Sequence, residues 1–366
     1  MKVLHSALFP SPPIGVVNQM MWEQKAAEKL KLDWQVKIFC PFNECYAGDL
    51  LFELRSNVSS TPRNGSFGRL YSWFFLRWEY VKWLKVQEDK VDVFILRHSM
   101  YDLFQLIFIL TCKKKVLLNH HTLEVPELLA SGGWLGRVKA FCEGVIGRYA
   151  IRYATAIVGV TEEVIQYERI RSASPSKRAI LYPNGILYNN KLLLDQRGDA
   201  PHLLFVASYF AAWHGLDRLL MEVWGKPHDF ILHVVGDLSD EDRLLAERDC
   251  RVMLHGRKSH DEINLIAAQC HLGLSSFALD RNSMTEACTL KVREYLMMGL
   301  PVCAGYIEVL PLNFRFYKKV NMSLDEILAF AIEHKFVSRE CVANEARLYI
   351  DKVALVEGLA HNLEGI

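Results

Sequence analysis

The stretch Glu286-Ala287-Cys288-Thr289-Leu290-Lys291-Val292-Arg293-Glu294-Tyr295-Leu296-Met297-Met298-Gly299-Leu300-Pro301-Val302 decides the fold. Its start reads as a loop carrying one carboxylate, Glu286. A helix is predicted over Leu290–Met298, ended by Gly299 and followed by a buried strand from Pro301 to Ala304. A helix start with unpaired N–H groups attracts phosphate. Lys291 adds a full charge there, and Glu294, one turn in, can accept hydrogen bonds from sugar hydroxyls. The plainer reading is an i,i+3 surface pair of Lys291 with Glu294, worth about 0.2–0.5 kcal/mol. The strand–helix units that precede this stretch favour the first reading.

Working outward, strand-like runs and helical patterns alternate along the whole chain, as parallel sheets with covering helices require. In the first half strands are predicted at Val3–Leu8, Gln35–Cys40, Val91–Leu96, Val116–Asn119, Ala156–Val160 and Ala179–Tyr182. Helices fit between them at Val17–Leu32, Tyr71–Glu88, Leu135–Tyr153 and Glu162–Ile170. In the second half the strands are Leu203–Ala207, Phe230–Gly236, Val252–Leu254, Leu272–Ser275 and Pro301–Ala304. Their helices are Leu216–Val223, Asp240–Glu247, His260–Ala268 and Leu290–Met298. The polar stretch 188–201 reads as a linker between a first domain, 1–187, and a second, 202–335. Residues 336–366 read as helices, and Glu53–Arg69 as a mobile loop. In doubly wound sheets ligands bind beyond the carboxyl ends of the strands.

Composition narrows the function classes. The chain has 366 residues, enough for two cores, with 51% apolar and 23% charged residues. A net charge of +1 provides no global field for nucleic acid, so none is expected as a partner. Nine scattered cysteines without a C-x-x-C pair or zinc spacing fit reduced thiols and a cytoplasmic location. Met1–Phe9 is too short for a signal peptide before Pro10, Pro12 and Pro13. The apolar run Leu103–Cys112 is half the length of a membrane span. No D-x-D pair stands on a loop after a strand, so no metal or other cofactor is expected. Asp237 to Asp242 read as a helix cap with acidic first-turn residues.

The pair Glu286 and Glu294, seven residues between them, with the trailing Gly-x-Pro-Val strand, resembles the E-x7-E motif of retaining family-4 glycosyltransferases. The resemblance extends over most of the chain and is specific mainly in its second half. It implies a GT-B fold: two Rossmann-like doubly wound domains facing a cleft, with C-terminal helices crossing back to the first domain. It implies that a nucleotide-diphosphate sugar donor binds the second domain, without a metal. Glu294 would take the ribose, and Glu286 would lie near the transferred sugar, where a carboxylate can offset oxocarbenium charge. Backbone N–H groups near Cys288, Thr289 and Leu290 would hold the leaving phosphate. The segment Ser208 to Leu220 is similar to the family's K-G-x-x-x-L-(L/I) segment, but His214 stands at its lysine position and no arginine precedes it. Gly215 frees N–H groups for the diphosphate, and Lys291, Arg257 or a protonated His214 would replace the missing cations. Gly15 is the matching loop of the first domain.

Asn119-His120-His121-Thr122-Leu123-Glu124 follows a strand of the first domain. Adjacent histidines project to different sides, so they suit sugar contacts better than a shared metal. The resemblance places a histidine of this strand end, His120 or His121, at the donor–acceptor junction, with Glu124 near the acceptor hydroxyl. Basic and aromatic residues mix over Arg69–Lys85, Lys113–Lys115 and Trp134–Phe141. That mixture suits peripheral contact with the inner face of a membrane, where lipid-linked acceptors sit. The expected activity is hexosyl transfer to a glycan or lipid-linked acceptor with retention, in bacterial-type surface polysaccharide or glycoconjugate assembly. Two alternatives stay open: a non-catalytic GT-B homologue binding a glycan or partner, and a sugar-nucleotide epimerase.

Overall fold

The computed structural model describes residues 1–55, 66–130, 132–188 and 192–366. The chain forms two compact units, Met1–Leu187 with Lys352–Ile366, and Tyr188–Asp351.

The first unit holds a seven-stranded sheet in the order β3-β2-β1-β4-β5-β6-β7, parallel throughout. Its strands are β1 (Val3–Leu8), β2 (Trp34–Pro41), β3 (Phe52–Arg55), β4 (Val93–Arg97), β5 (Lys115–His120), β6 (Ala156–Gly159) and β7 (Ala179–Leu181). Helices α1 (Ile14–Lys29), α2 (Ser66–Gln87), α3 (Leu103–Thr111), α4 (Glu124–Ala130), α5 (Gly133–Tyr153) and α6 (Glu162–Arg171) connect them. Both faces are covered, which is why the strands read as continuous apolar runs. Val93, Ile95 and Leu117 face Met20, Ala26 and Ala27 of α1. Phe94, Leu96 and Leu118, one residue out of phase, face Leu76, Tyr80 and Leu84 of α2 with Leu106 and Ile109 of α3.

The second unit carries a parallel six-stranded sheet, β10-β9-β8-β11-β13-β15, and a small parallel pair, β12 with β14. The strands are β8 (His202–Tyr209), β9 (Ile231–Asp237), β10 (Val252–Leu254), β11 (Leu272–Leu274), β12 (Glu286–Ala287), β13 (Val302–Ala304), β14 (Ile307–Glu308) and β15 (Tyr317–Lys319). The helices are α7 (Leu216–Val223), α8 (Asp240–Ala246), α9 (His260–Ala267), α10 (Leu290–Met297), α11 (Leu324–Glu333) and α12 (Arg339–Ile350). Strand order reverses beside β1 in the first sheet and beside β8 in the second, the positions at which doubly wound sheets characteristically bind ligands.

Helix α13 (Lys352–Glu364) brings the chain back to the first unit, where it packs on α1. Lys352 N–H donates to the Ile186 carbonyl at 2.7 Å. Helix α12, which the sequence reading groups with the returning tail, belongs to the second unit. The buried Arg339 holds it there by donating to the carbonyls of Ala267 and Ala268 at 3.0 and 2.7 Å. Gly299, at φ +78°, lets this happen, because a Cβ there would lie 2.4 Å from the Arg339 Cβ.

The expected mobile loop Glu53–Arg69 is partly regular. Phe52–Arg55 is an edge strand and Ser66 opens α2, while residues 56–65 lie outside the described residues. The segment from Glu124, where the sequence pattern places no helix, is helix α4, with Pro126 in its first turn, where the missing N–H costs nothing. All nine cysteines are free, and among the described residues no helix is long and apolar enough to cross a membrane.

Candidate functional site

In the second unit the candidate site gathers around the start of α10. Thr289 caps the helix, its hydroxyl accepting from the Val292 N–H at 3.4 Å. The same hydroxyl lies 2.9 Å from the Tyr306 hydroxyl, which in turn meets Ser275 Oγ at 2.9 Å. The first turn carries no acidic residue. The N–H groups of Leu290 and Lys291 therefore lack intrahelical partners at an end of positive dipole. Beside them the Lys291 ammonium is buried and, among the described residues, has no hydrogen-bond partner. It lies 5.1 Å from the centroid of the Phe205 ring. Burial lowers its pKa to about 7, against the opposing attraction of Glu294. A cation without an acceptor beside unpaired helix N–H groups can hold an anion.

Glu294 is the next residue on that face. Burial raises its carboxyl pKa, while His260 and Lys291 pull the other way. His214 ends the short 3-10 turn Ala212–His214 and is buried. Its Nδ1 accepts the Ala211 N–H at 2.9 Å, and its ring stacks on Trp213 at 3.7 Å. Burial and the neighbouring Lys291 lower its pKa to about 3. Below neutrality it is still uncharged, so the expected protonated clamp is replaced by a neutral imidazole presenting Nε2–H. Gly215, at φ +71°, sits at the start of α7 with room for no side chain, since a Cβ would lie 2.9 Å from Ala278. Here Lys291, His214 and Glu294 are electrostatic neighbours.

Other expected residues lie differently. Arg257 is exposed and its guanidinium donates to Asp237 Oδ2 at 2.6 Å, so its charge is already matched. Glu286 stands in β12 rather than on a loop, opposite Ile307 of β14, and is half-buried. Cys288 is buried and Leu290 half-buried, so what they present at the helix start is backbone. Behind the helix start Arg293 and Glu308 form a fully buried ion pair at 2.7 Å, tying α10 to β14. Neither this pair nor Tyr306 was visible from sequence spacing.

In the first unit, Gly15 occupies the first turn of α1, a helix capped by Pro13 without a side-chain hydrogen bond or an early acid. His120 ends β5 fully buried, its Nδ1 2.7 Å from Glu124 Oε1. Its ring stacks on His98 at 4.6 Å, and His98 Nε2 meets Glu143 Oε1 at 2.8 Å. Arg171 bridges Glu124, Glu143 and Glu168. Burial lowers the His120 pKa to about 4. His98, His120 and Glu124 do bring ligand atoms within 4.8 Å of one another. His120 Nδ1 is already paired with Glu124 and His98 Nε2 with Glu143, and the Arg171 charge serves the same carboxylates, a poor set for a cation. His120 and Glu124 thus form a buried scaffold. His121, the other histidine, lines a cavity of about 330 Å³ with Arg97, Arg77 and Thr122. Burial, with the nearby Arg97, holds its pKa well below the ordinary value.

No protein-family model and no curated protein sequence matches this chain. Solved structures do. A lipopolysaccharide outer core galactosyltransferase, WaaB, in its apo form superposes with a TM-score of 0.68 at 13% identity, covering 100% of this chain and 99% of that one. Anabaena Alr3699/HepE in complex with UDP gives 0.66 at 15% identity, covering all of both chains. Sucrose-phosphate synthase from Thermosynechococcus elongatus gives 0.63 at 13% identity, covering 100% and 99%. The two Rossmann-like units thus have the GT-B fold of these glycosyltransferases.

Proposed function

We propose that this protein is a glycosyltransferase that moves a sugar from a nucleotide-diphosphate donor to a glycan or lipid-linked acceptor. One observation carries the reading: the buried, unpartnered Lys291 ammonium beside the open N-terminus of α10. A diphosphate supplies the charge this arrangement lacks, with the helix end contributing roughly half an elementary charge. Glu294 takes ribose hydroxyls, and His214 Nε2–H and the Gly215 N–H add neutral donors. Glu286 stands by the transferred sugar, and His121 contributes on the acceptor side. The neighbouring folds include one whose structure holds UDP, which makes a uridine nucleotide the first to try. Retention of configuration and independence of metal belong to the same proposal, supported by the Glu286–Glu294 spacing and by cationic groups in place of a carboxylate pair.

The first unit supports an acceptor at a membrane surface. Helices α2, α3 and α5 lie side by side. Along α5, Trp134 and Phe141 are 71% and 74% exposed, and Leu135, Val138, Val145 and Tyr149 are exposed with them. Arg137, Lys139, Arg148 and Arg152 are interspersed and exposed, while the helix's one acid, Glu143, is buried. An apolar, cationic face of this kind complements anionic lipid.

The deciding experiment is calorimetric titration and thermal shift with UDP, GDP, ADP and CDP. A ligand at a hundred times its Kd stabilises by about 2.7 kcal/mol. One nucleotide should bind wild type and lose affinity in Lys291→Met. Binding of none of the four would overturn the reading.

A further inference from the structure

The cavity at the switch point of the first sheet holds an unused charge. It opens beyond the carboxyl ends of β1, β4 and β5 and is lined by Leu8, Arg97, Asn119 and His121, with Arg77 at its side. The Arg77 guanidinium is spoken for: its Nε lies 3.1 Å from Asp102 Oδ2, and it stacks 3.8 Å above Trp73. Arg97 is not. Among the described residues its guanidinium makes no ion pair and no side-chain hydrogen bond, and its neighbour is the Phe9 ring, 5.5 Å away. The carboxylates that attract it from a distance are Glu124 and Glu127. Glu124 is committed to His120 and Arg171, and Glu127 is exposed. Burial lowers the Arg97 pKa to about 10, so it remains a cation at neutral pH. A planar fork of donors left empty in a half-buried cavity matches an oxyanion in geometry and in charge.

We propose that this cavity is an oxyanion subsite, in which Arg97 grips a phosphate or carboxylate carried by the acceptor sugar. This rests on the glycosyltransferase reading for the word acceptor, but the anion site itself does not. It makes the acceptor an acidic glycan or a sugar phosphate rather than a neutral sugar. His121 is held neutral and can donate to the same anion without adding repulsion or charge.

The test is calorimetric titration of the full chain at low chloride with glucose 1-phosphate, glucuronate and glucose, with UDP as a parallel control. Glucose 1-phosphate or glucuronate should bind, and glucose should not; whichever of the two binds names phosphate or carboxylate as the group. Arg97→Met should weaken that binding at least tenfold and Arg97→Lys by less, while UDP affinity stays as in wild type. Because no side chain among the described residues pairs with the half-buried Arg97, Arg97→Met should also melt no lower than wild type. Equal affinity of wild type and Arg97→Met for the anionic sugar would overturn the subsite, and so would indifference to all three sugars in a protein that binds UDP. A protein that binds the anionic sugar through Arg97 but no nucleotide would keep the subsite and overturn the proposed activity instead.

Discussion

The Lys291 ammonium lies 5.1 Å from the Phe205 ring centroid and, among the described residues, has no hydrogen-bond acceptor, so the aromatic face and the charge of Glu294 are what attract it. A cation–π contact offsets only part of the loss of water, and burial accordingly lowers the pKa to about 7. An unfolded lysine titrates near its ordinary value of 10.5. Between those two values the unfolded chain binds more protons than the native one, so this residue makes stability rise with pH across that window. Nucleotide affinity should run the other way, falling by up to about tenfold per pH unit above 7 as the ammonium is lost. Lys291→Met should bind weakly at every pH, flatten both profiles and be the more stable protein below pH 7. Calorimetry and urea denaturation at pH 6, 7, 8 and 9 measure both. An unchanged affinity profile in Lys291→Met would move the phosphate elsewhere.

Glu294→Ala should keep the fold and lose nucleotide affinity. Two hydrogen bonds from ribose hydroxyls to one carboxylate contribute about 1.5–3 kcal/mol, a loss of roughly ten- to hundredfold in Kd. A second consequence is electrostatic, because Glu294 helps keep Lys291 protonated. Its removal should shift the pH midpoint of nucleotide binding downward. A folded Glu294→Ala variant with wild-type affinity for the nucleotide contradicts the ribose assignment.

The strands and helices of both sheets were legible because parallel strands covered on two sides are apolar throughout, and their helices are strongly periodic. Val3–Leu8, Val252–Leu254 and Leu216–Val223 have the same limits in sequence and structure. What escaped was mostly short or masked by charge: β3 with its Glu53 and Arg55, the two-residue β12 and β14, β15 with its two lysines, and the Pro-containing α4, while α3 was legible only as an apolar run. At the site, residue types on strand-end loops and helix starts were visible, but states were not. His214 looks like a lysine substitute by position, yet its charge depends on burial beneath Trp213 and on Lys291, and both come from tertiary packing. His120 and His121 look alike in sequence. Only the stacked His98 and the glutamates reached from α4, α5 and α6 show that one is scaffold and the other lines a cavity.

Arg293 and Glu308 should be the most destabilising pair to break in the second unit. Both side chains are fully buried, 2.7 Å apart, and the pair holds β14 and hence β12, with Glu286, against the start of α10. Removing one partner of such a pair leaves a buried charge and costs about 3–5 kcal/mol. Arg293→Met should therefore lower the urea midpoint strongly. Glu308→Gln, which keeps an acceptor for the guanidinium, should lower it less. A loss below about 1 kcal/mol in Arg293→Met would show that the pair is not a structural tie.

Vesicle binding tests the exposed face of α5. Trp134 and Phe141 can insert their rings at the headgroup level, while Arg137, Lys139, Arg148 and Arg152 meet lipid phosphates. Each cation near an anionic surface adds about 1 kcal/mol, and the contribution weakens as salt shortens the Debye length. Co-sedimentation should therefore be strong with phosphatidylglycerol-containing vesicles at low salt, weak with pure phosphatidylcholine, and reduced by added salt. Reversing two charges, Arg137→Glu with Arg148→Glu, should remove the preference for anionic lipid. Replacing the rings, Trp134→Ser with Phe141→Ser, should instead weaken binding at every salt concentration, because that contribution is area buried rather than charge. If wild type stays in the supernatant with anionic vesicles at low salt, this face does not dock on lipid, and the acceptor must reach the protein from solution.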